Sequence, residues 1–260
     1  MQPTLFLSHG SPMTALTNSP ARDFLAGLGA ALADRPKAIL VISAHWETER
    51  PTLNAVPQNV TIHDFYGFPK ALSRLLYEPP GAPDLAVQIA KALRDAGFDA
   101  AIDTSRGLDH GAWIPLLLAY PEADIPVLQL SVQTHLGPEH HYRMGAALAE
   151  LREAGVLILG SGSFTHDLRR FRGGQALDAP ETPDITAFSD WMDRRLREND
   201  VPVLLDYRDQ APFAAQEHPT EEHLLPLYVA LGAAQPDGRV VKLHQSVEFG
   251  FLRMDSYAFQ

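Results

Sequence analysis

Eleven histidines and no cysteine stand in this 260-residue chain. Any transition metal it binds must therefore be held by His, Asp or Glu. Neutral imidazole suits zinc, iron and other borderline metals, which need three or four donors converging from different elements. Four histidines lie where such convergence is easiest. His9 follows the short apolar run Thr4–Ser8, and Gly10 and Pro12 break the chain at once. His45 follows Ala38–Ile42, which is apolar without interruption. His166 lies in the loop from Gly160 to Asp167, after the apolar run Val156–Leu159. His223 opens a helical stretch after a loop bearing Glu217, His218, Glu221 and Glu222. Each alone reads more simply as a packing or surface residue. Their joint placement makes His9, His45 and His223 ligand candidates. His135, His140, His141 and His244 lack that setting and read as surface or packing residues; for His63 the sequence favours neither.

Other motifs nearby leave alternatives open. Gly160-Ser161-Gly162-Ser163 has neither the lysine of a P-loop nor the spacing of a dinucleotide fingerprint or a nucleophile elbow. It reads as close backbone approach to a ligand, with flexibility that positions His166. Asp109-His110-Gly111 is either an acid-oriented histidine or a plain turn. Trp46 and Trp113 fit a pocket wall as well as a core. Arg22, Arg106 and Arg169 read as surface residues more readily than as carboxylate binders.

The elements that must position these residues follow from periodicity. Runs such as Ala38–Ile42 suit strands buried on both faces of a parallel sheet. Strands are expected at Thr4–Ser8, Ala38–Ala44, Pro126–Val132 and Val156–Leu159. Shorter ones are expected at Thr52–Ala55, Phe98–Ile102, Val240–His244 and Phe249–Arg253. Helical spacing covers Ala21–Ala33, Asp84–Ala96, Glu139–Ala154, Thr182–Asn199 and His223–Leu231, with a further helix starting at Ile114. The aromatic stretch Gln58–Pro83 reads as a loop, either a pocket wall or a packed surface loop; its part from His63 to Tyr77, and the segment Asp206–Gln216, are expected to shape specificity. No repeat or long linker interrupts the chain. The expectation is one α/β domain over residues 1–260, a central, mostly parallel sheet flanked by helices. The metal site would lie at the strands' C-terminal edge, where open α/β sheets bind ligands.

Composition narrows the function. A formal net charge of −11 with no basic block argues against nucleic acid or anionic membrane as partner. No apolar run reaches the roughly 20 residues that span a bilayer, and the first residues lack a signal peptide's basic and apolar regions. A cytoplasmic protein is expected.

Taken in order, the motifs are Ser8-His9-Gly10-Ser11-Pro12, Ser43-Ala44-His45-Trp46-Glu47, Gly107-Leu108-Asp109-His110-Gly111-Ala112-Trp113, Gly160-Ser161-Gly162 with Thr165-His166, and His218-Pro219-Thr220-Glu221-Glu222-His223. In this order they resemble the class III extradiol ring-cleaving dioxygenases, in particular the DOPA 4,5-dioxygenase-like branch. That resemblance implies one divalent metal per chain held by His9, His45 and His223. His166 would be the catalytic acid/base, close enough to become a fourth ligand, and His110 a second catalytic pocket histidine. Trp46, Ser11 and Trp113 would contact substrate. Fe(II) is the metal expected for activity, with Zn(II) able to occupy the same site. The substrates would be a small aromatic diol and O2. One departure stands out: better-known members carry a glutamate where His223 stands, so the third ligand here is neutral. This also resembles three-histidine zinc sites that activate water. A zinc hydrolase or lyase, or a non-catalytic metal-binding homologue, is therefore the competing expectation.

Overall fold

The apolar runs lie side by side in one sheet. The computed structural model describes residues 1–234 and 238–260. The first half of the chain supplies β1 (Thr4–Ser8), α1 (Pro20–Ala31), β2 (Ala38–Glu47), β3 (Thr52–Asn54), α2 (Pro83–Asp95), β4 (Ala101–Asp103), α3 (His110–Ala119) and β5 (Val127–Val132). Next come α4 (Gly137–Ala146), β6 (Val156–Gly162), α5 (Pro183–Arg197) and the short helices α6 (Val201–Leu205), α7 (Tyr207–Gln210) and α8 (Ala214–Glu217). The chain finishes with α9 (Leu225–Gly232), β7 (Val240–His244), β8 (Val247–Glu248), β9 (Leu252–Arg253) and β10 (Ser256–Phe259).

Strand order across the large sheet is β4-β3-β5-β2-β6-β1-β10-β7. Its four central strands, β5-β2-β6-β1, are mutually parallel. Antiparallel pairing enters at the flanks, where β3 meets β5 and β10 joins β1 to β7. The fold is α/β with a mostly parallel sheet. Side chains alternate between two cores because strand residues point to opposite faces. Leu40, Ile42, Leu128 and Ile158 pack with Ile89, Met144, Phe188 and Tyr228 of α2, α4, α5 and α9. Ile39, Val41, Val127 and Leu159 pack on the other face with Leu25 of α1 and Trp113 of α3. Burial on both faces explains why the central strands lack polar alternation.

Register brings the chemistry to one edge. Ser8 pairs with Gly162, and Ser43 with Ser161, so β1, β2 and β6 end together. The last residues of β2 are irregular, with a register shift between Ile42 and Glu47, and His45 sits inside that irregularity.

Several boundaries differ from expectation. The helix expected to start at Ile114 begins at His110, because the Asp109 side chain accepts from the Ala112 N–H as its N-cap. The segment Glu139–Ala154 divides into α4 and a 3-10 turn over Ala149–Arg152. Gly232 lies within α9 rather than stopping it. Phe249 and Gly250 both have positive φ and turn the chain between β8 and β9, so no strand runs from Phe249 to Arg253. The strand that completes the sheet there is β10. Segment 206–216 is largely the helices α7 and α8. Among the described residues, no helix is long and apolar enough to cross a membrane.

Candidate metal centre

Five imidazoles gather at the C-terminal ends of β1, β2 and β6, with His45 inside the irregular end of β2 and His110 at the start of α3. His9 directly follows β1, its N–H bonded to the Gly162 carbonyl at 3.0 Å. Its orientation traces back to a proline. Pro115 stands inside α3 without an N–H, so the Gly111 carbonyl four residues earlier loses its helical donor. The Ser161 hydroxyl donates to that carbonyl instead. With its proton committed, Ser161 Oγ accepts from His9 Nδ1–H at 3.0 Å. The His9 Nε2 lone pair is then left to face His45 Nε2, 3.0 Å away. Gly111 itself permits the crowding: a Cβ there would lie 2.5 Å from Ser43 Oγ and 3.0 Å from the His45 ring.

The same logic fixes two more rings. His223 Nδ1–H donates to Glu222 Oε1 at 3.0 Å, and its Nε2 is buried with no partner among the described residues. His110 Nδ1–H donates to Asp64 Oδ2 at 2.9 Å, while Asp64 Oδ1 accepts the His110 backbone N–H at 3.0 Å. In each case a partner holds Nδ1–H, the arrangement that presents Nε2 as a donor to a metal. His166 is held differently. Its N–H donates to the Glu217 carbonyl at 2.8 Å, and its ring stacks on His223 with centroids 3.4 Å apart.

The glycine-rich end of β6 serves this packing. A Cβ at Gly162 would sit 2.0 Å from the His223 carbonyl, and one at Gly160 would sit 2.3 Å from that of Pro226. The Ser163 N–H bonds the His223 carbonyl at 2.9 Å. The glycines therefore admit another segment of backbone, the one that delivers His223, rather than a ligand.

Four of these rings, those of His9, His45, His166 and His223, are neutral near pH 7. Burial, then repulsion from His45, His110 and His166, holds His9 well below the ordinary histidine range. Burial and the His166, His45 and His9 rings do the same to His223. Burial and His110 bring His45 down to about 4, with Asp109 and Asp64 opposing. Burial, then His218, brings His166 down to about 3.

These donors fit a metal. Nitrogens each about 2.1 Å from one ion lie roughly 3.0–3.4 Å apart, with ring centroids roughly 5 Å apart. The His9–His45, His9–His223 and His45–His223 centroids are 5.0, 5.6 and 4.9 Å apart. His9, His45 and His110 also bring one donor atom each within 4.8 Å of the others, as do His166, Glu222 and His223. His110, however, packs its ring 3.9 Å from His45. All-nitrogen donors of this kind suit zinc and iron.

The other sequence candidates fall around this centre. Trp113 is 0% exposed in the core, its indole N–H bonded to the Ile62 carbonyl, so it braces the aromatic loop. Trp46 is 6% exposed beneath the Arg106 guanidinium. Arg106 is tied to Asp109 and to the His45 carbonyl, which makes it a brace rather than a surface residue. Ser11 is half-buried and accepts from the Met13 N–H, capping a short 3-10 turn. The acid beside His110 is Asp64, not the adjacent Asp109. Asp64, Ser161 and Pro115 escaped sequence reasoning. The signal for Asp64 was a carboxylate inside the aromatic loop, and for Pro115 a proline too deep in α3 to be a first-turn residue.

The sequence pattern of the family described as "Catalytic LigB subunit of aromatic ring-opening dioxygenase" matches residues 3–259. The chain belongs to this family. Its members, class III extradiol dioxygenases, are metal-dependent, and the protein is accordingly an aromatic ring-opening dioxygenase. The chain is similar to the 4,5-DOPA dioxygenase extradiol of Beta vulgaris, at 46% identity over 98% of this chain and 96% of the relative. The protein of the same name from Escherichia coli K12 is 37% identical over 97% of this chain and 92% of its own. The crystal structure of an uncharacterized Escherichia coli K12 protein superposes with a TM-score of 0.82, at 32% identity and full coverage of both chains. Family and relatives favour ring opening over the hydrolase and non-catalytic expectations.

Proposed function

We propose that the protein opens the ring of a DOPA-like catechol with O2, using Fe(II) held by His9, His45 and His223, and yields a semialdehyde acid. One observation carries this reading. Buried imidazoles with their Nδ1–H groups bound elsewhere leave Nε2 lone pairs among neighbouring rings, and that of His223 has no partner among the described residues. A divalent metal bound there would supply Lewis acidity toward the diol and the redox capacity for oxygen insertion. Zn(II) can fill the same donor set without that redox capacity.

The chain's own residues then divide the work. His166 bears no side-chain hydrogen bond among the described residues, so its ring is placed to accept a proton from the diol, although burial disfavours its charged form in the absence of substrate. The same ring returns that proton to the opening product. His110, anchored by Asp64, borders the pocket beside His45 and orients the reactants. Phe65 stands edge-on to His110 at 5.8 Å and offers an aromatic wall for the substrate ring. Ser11 is proposed as a polar contact near His9, with Trp46 and Trp113 supporting the wall from behind. Neutral ligands leave the metal's full positive charge to favour a catecholate anion. A cytoplasmic location belongs to the same proposal, and cell fractionation checks it.

The test is oxygen uptake with a panel of catechols on protein stripped of metal and reloaded anaerobically. The reading expects uptake and a yellow product with Fe(II), and neither with Zn(II). Absence of uptake with both metals across the panel would overturn it.

A further inference from the structure

Sequence order would make Asp109 the partner of His110, yet both of its carboxylate oxygens are engaged elsewhere. Oδ1 accepts from the Ser43 hydroxyl at 2.6 Å and from the Ala112 N–H, and Oδ2 accepts from Gln129 Nε2 at 2.8 Å and from Arg106 at 3.1 Å. Asp64, 46 residues away in sequence, takes the position instead. One of its oxygens receives the His110 backbone N–H, the other the ring Nδ1–H.

The loop around Asp64 is fastened on both sides. The Ile62 carbonyl accepts from the Trp113 indole at 2.9 Å, and His63 Nε2 pairs with the Leu75 carbonyl at 3.0 Å. Phe65 leans on both Trp113 and Phe68. The carboxylate is thus carried on a loop fastened on both sides, and it is only 24% exposed.

We propose that Asp64 is the positioning residue of His110: by taking Nδ1–H it fixes the tautomer whose Nε2 lone pair serves the reaction. This rests on the reading of His110 as a pocket histidine that orients the reactants. Asp64 touches neither substrate nor metal and acts through the ring alone. The two-point bond explains why a carboxylate is needed. An asparagine of the same shape has one acceptor oxygen for two N–H donors. If that oxygen keeps the backbone N–H, its amide group faces Nδ1 and forces the proton onto Nε2.

D64N and D64E test the assignment in two ways. Nitrogen NMR of histidine-labelled, Zn(II)-loaded protein reads the His110 tautomer directly. It should show Nδ1–H in the wild type and in D64E, and Nε2–H in D64N, with zinc content unchanged in all three. On the Fe(II) form, kcat for catechol cleavage should fall roughly 10²–10⁴-fold in D64N with KM nearly constant, the size expected for a misplaced acid/base proton. D64E should recover part of that loss. A D64N protein that keeps Nδ1–H, or that switches tautomer without losing kcat, overturns the proposal. If D64N does not fold, a D64E protein with Nε2–H overturns it and one with Nδ1–H and partial kcat supports it. The NMR result stands even if the wild type cleaves no catechol, so failure of the functional reading is distinguishable from failure of this one.

Discussion

The rings of His166 and His223 lie nearly parallel, 14° apart, with centroids at 3.4 Å. One ring has its Nδ1–H held by Glu222; the other, among the described residues, has a backbone anchor only. On the proposed reading, this pairing sets a metal ligand beside a proton carrier. His223→Ala should lower metal affinity by more than the roughly 10–100-fold typical of losing an outer-shell partner. His166→Ala should keep the metal and lose turnover by about 10²–10⁴-fold. His110→Ala should also keep the metal if, as proposed, the ligands are His9, His45 and His223. Metal content by mass spectrometry decides: equal loss in His166→Ala would make His166 a ligand, and greater loss in His110→Ala than in His223→Ala would exchange their roles.

The hydrogen bond from Ser161 to Gly111 gives a second prediction. Ser161→Ala leaves His9 Nδ1–H without its acceptor, and zinc affinity should fall about 10–100-fold with the fold retained. Pro115→Ala should act through the same path, because a new N–H at residue 115 competes for the Gly111 carbonyl. Competition titration against a chelator measures both. Unchanged affinity in both variants would show that the His9 ring is set by something else.

Gly162→Ala tests how closely the His223 segment lies on β6. The added methyl would meet the His223 carbonyl at 2.0 Å, and overpacking of this kind costs about 1–3 kcal/mol. The urea midpoint should fall, and metal affinity with it, because His223 must retreat. Wild-type stability would mean that the segment yields without cost.

Acid should destabilise the protein through its buried neutral histidines. His141 is the clearest case away from the metal centre: Gly137 accepts its Nδ1–H and its Nε2 accepts the Gln133 N–H. Burial takes its pKa down to about 3, with the Gly137 carbonyl opposing. The unfolded chain binds a proton at about pH 6.5 that the folded chain refuses until about 3. Its contribution is therefore complete above about pH 6.5 and declines as pH falls, by up to about 1.4 kcal/mol per unit. His141→Gln should be less stable at pH 7 and lose stability less steeply between pH 6.5 and 5. Equal slopes in urea titrations would exclude the effect.

The parts of this fold that read directly from sequence are those governed by local pattern. Strands buried on both faces leave unbroken apolar runs; the breakers Gly10 and Pro12 marked where His9 emerges, whereas His45, expected just past its strand, lies within the irregular end of β2. His223 was legible from its loop, but not the reason it can approach. Gly160 and Gly162 resembled a ligand cradle because sequence cannot say which backbone comes near. Asp64 was hidden because its partner lies 46 residues on, while Asp109 beside His110 offered a nearer decoy. Pro115 suggested a first helical turn, whereas the Asp109 cap starts α3 five residues earlier, at His110. Helices of four or five residues, such as α7 and α8, are too short for periodicity to register. The pairing of β10 between β1 and β7 was obscured by the Phe249-Gly250 turn.

The most direct test of ring opening at this centre follows isotopic oxygen into the product. Fe(II)-loaded protein would be given a DOPA-like catechol under ¹⁸O₂ and the product analysed by mass spectrometry with minimal aldehyde exchange. The account predicts a ring-opened product carrying both labelled atoms, and none from the Zn(II)-loaded protein. A product labelled only from H₂¹⁸O, or an unopened ring, would contradict it.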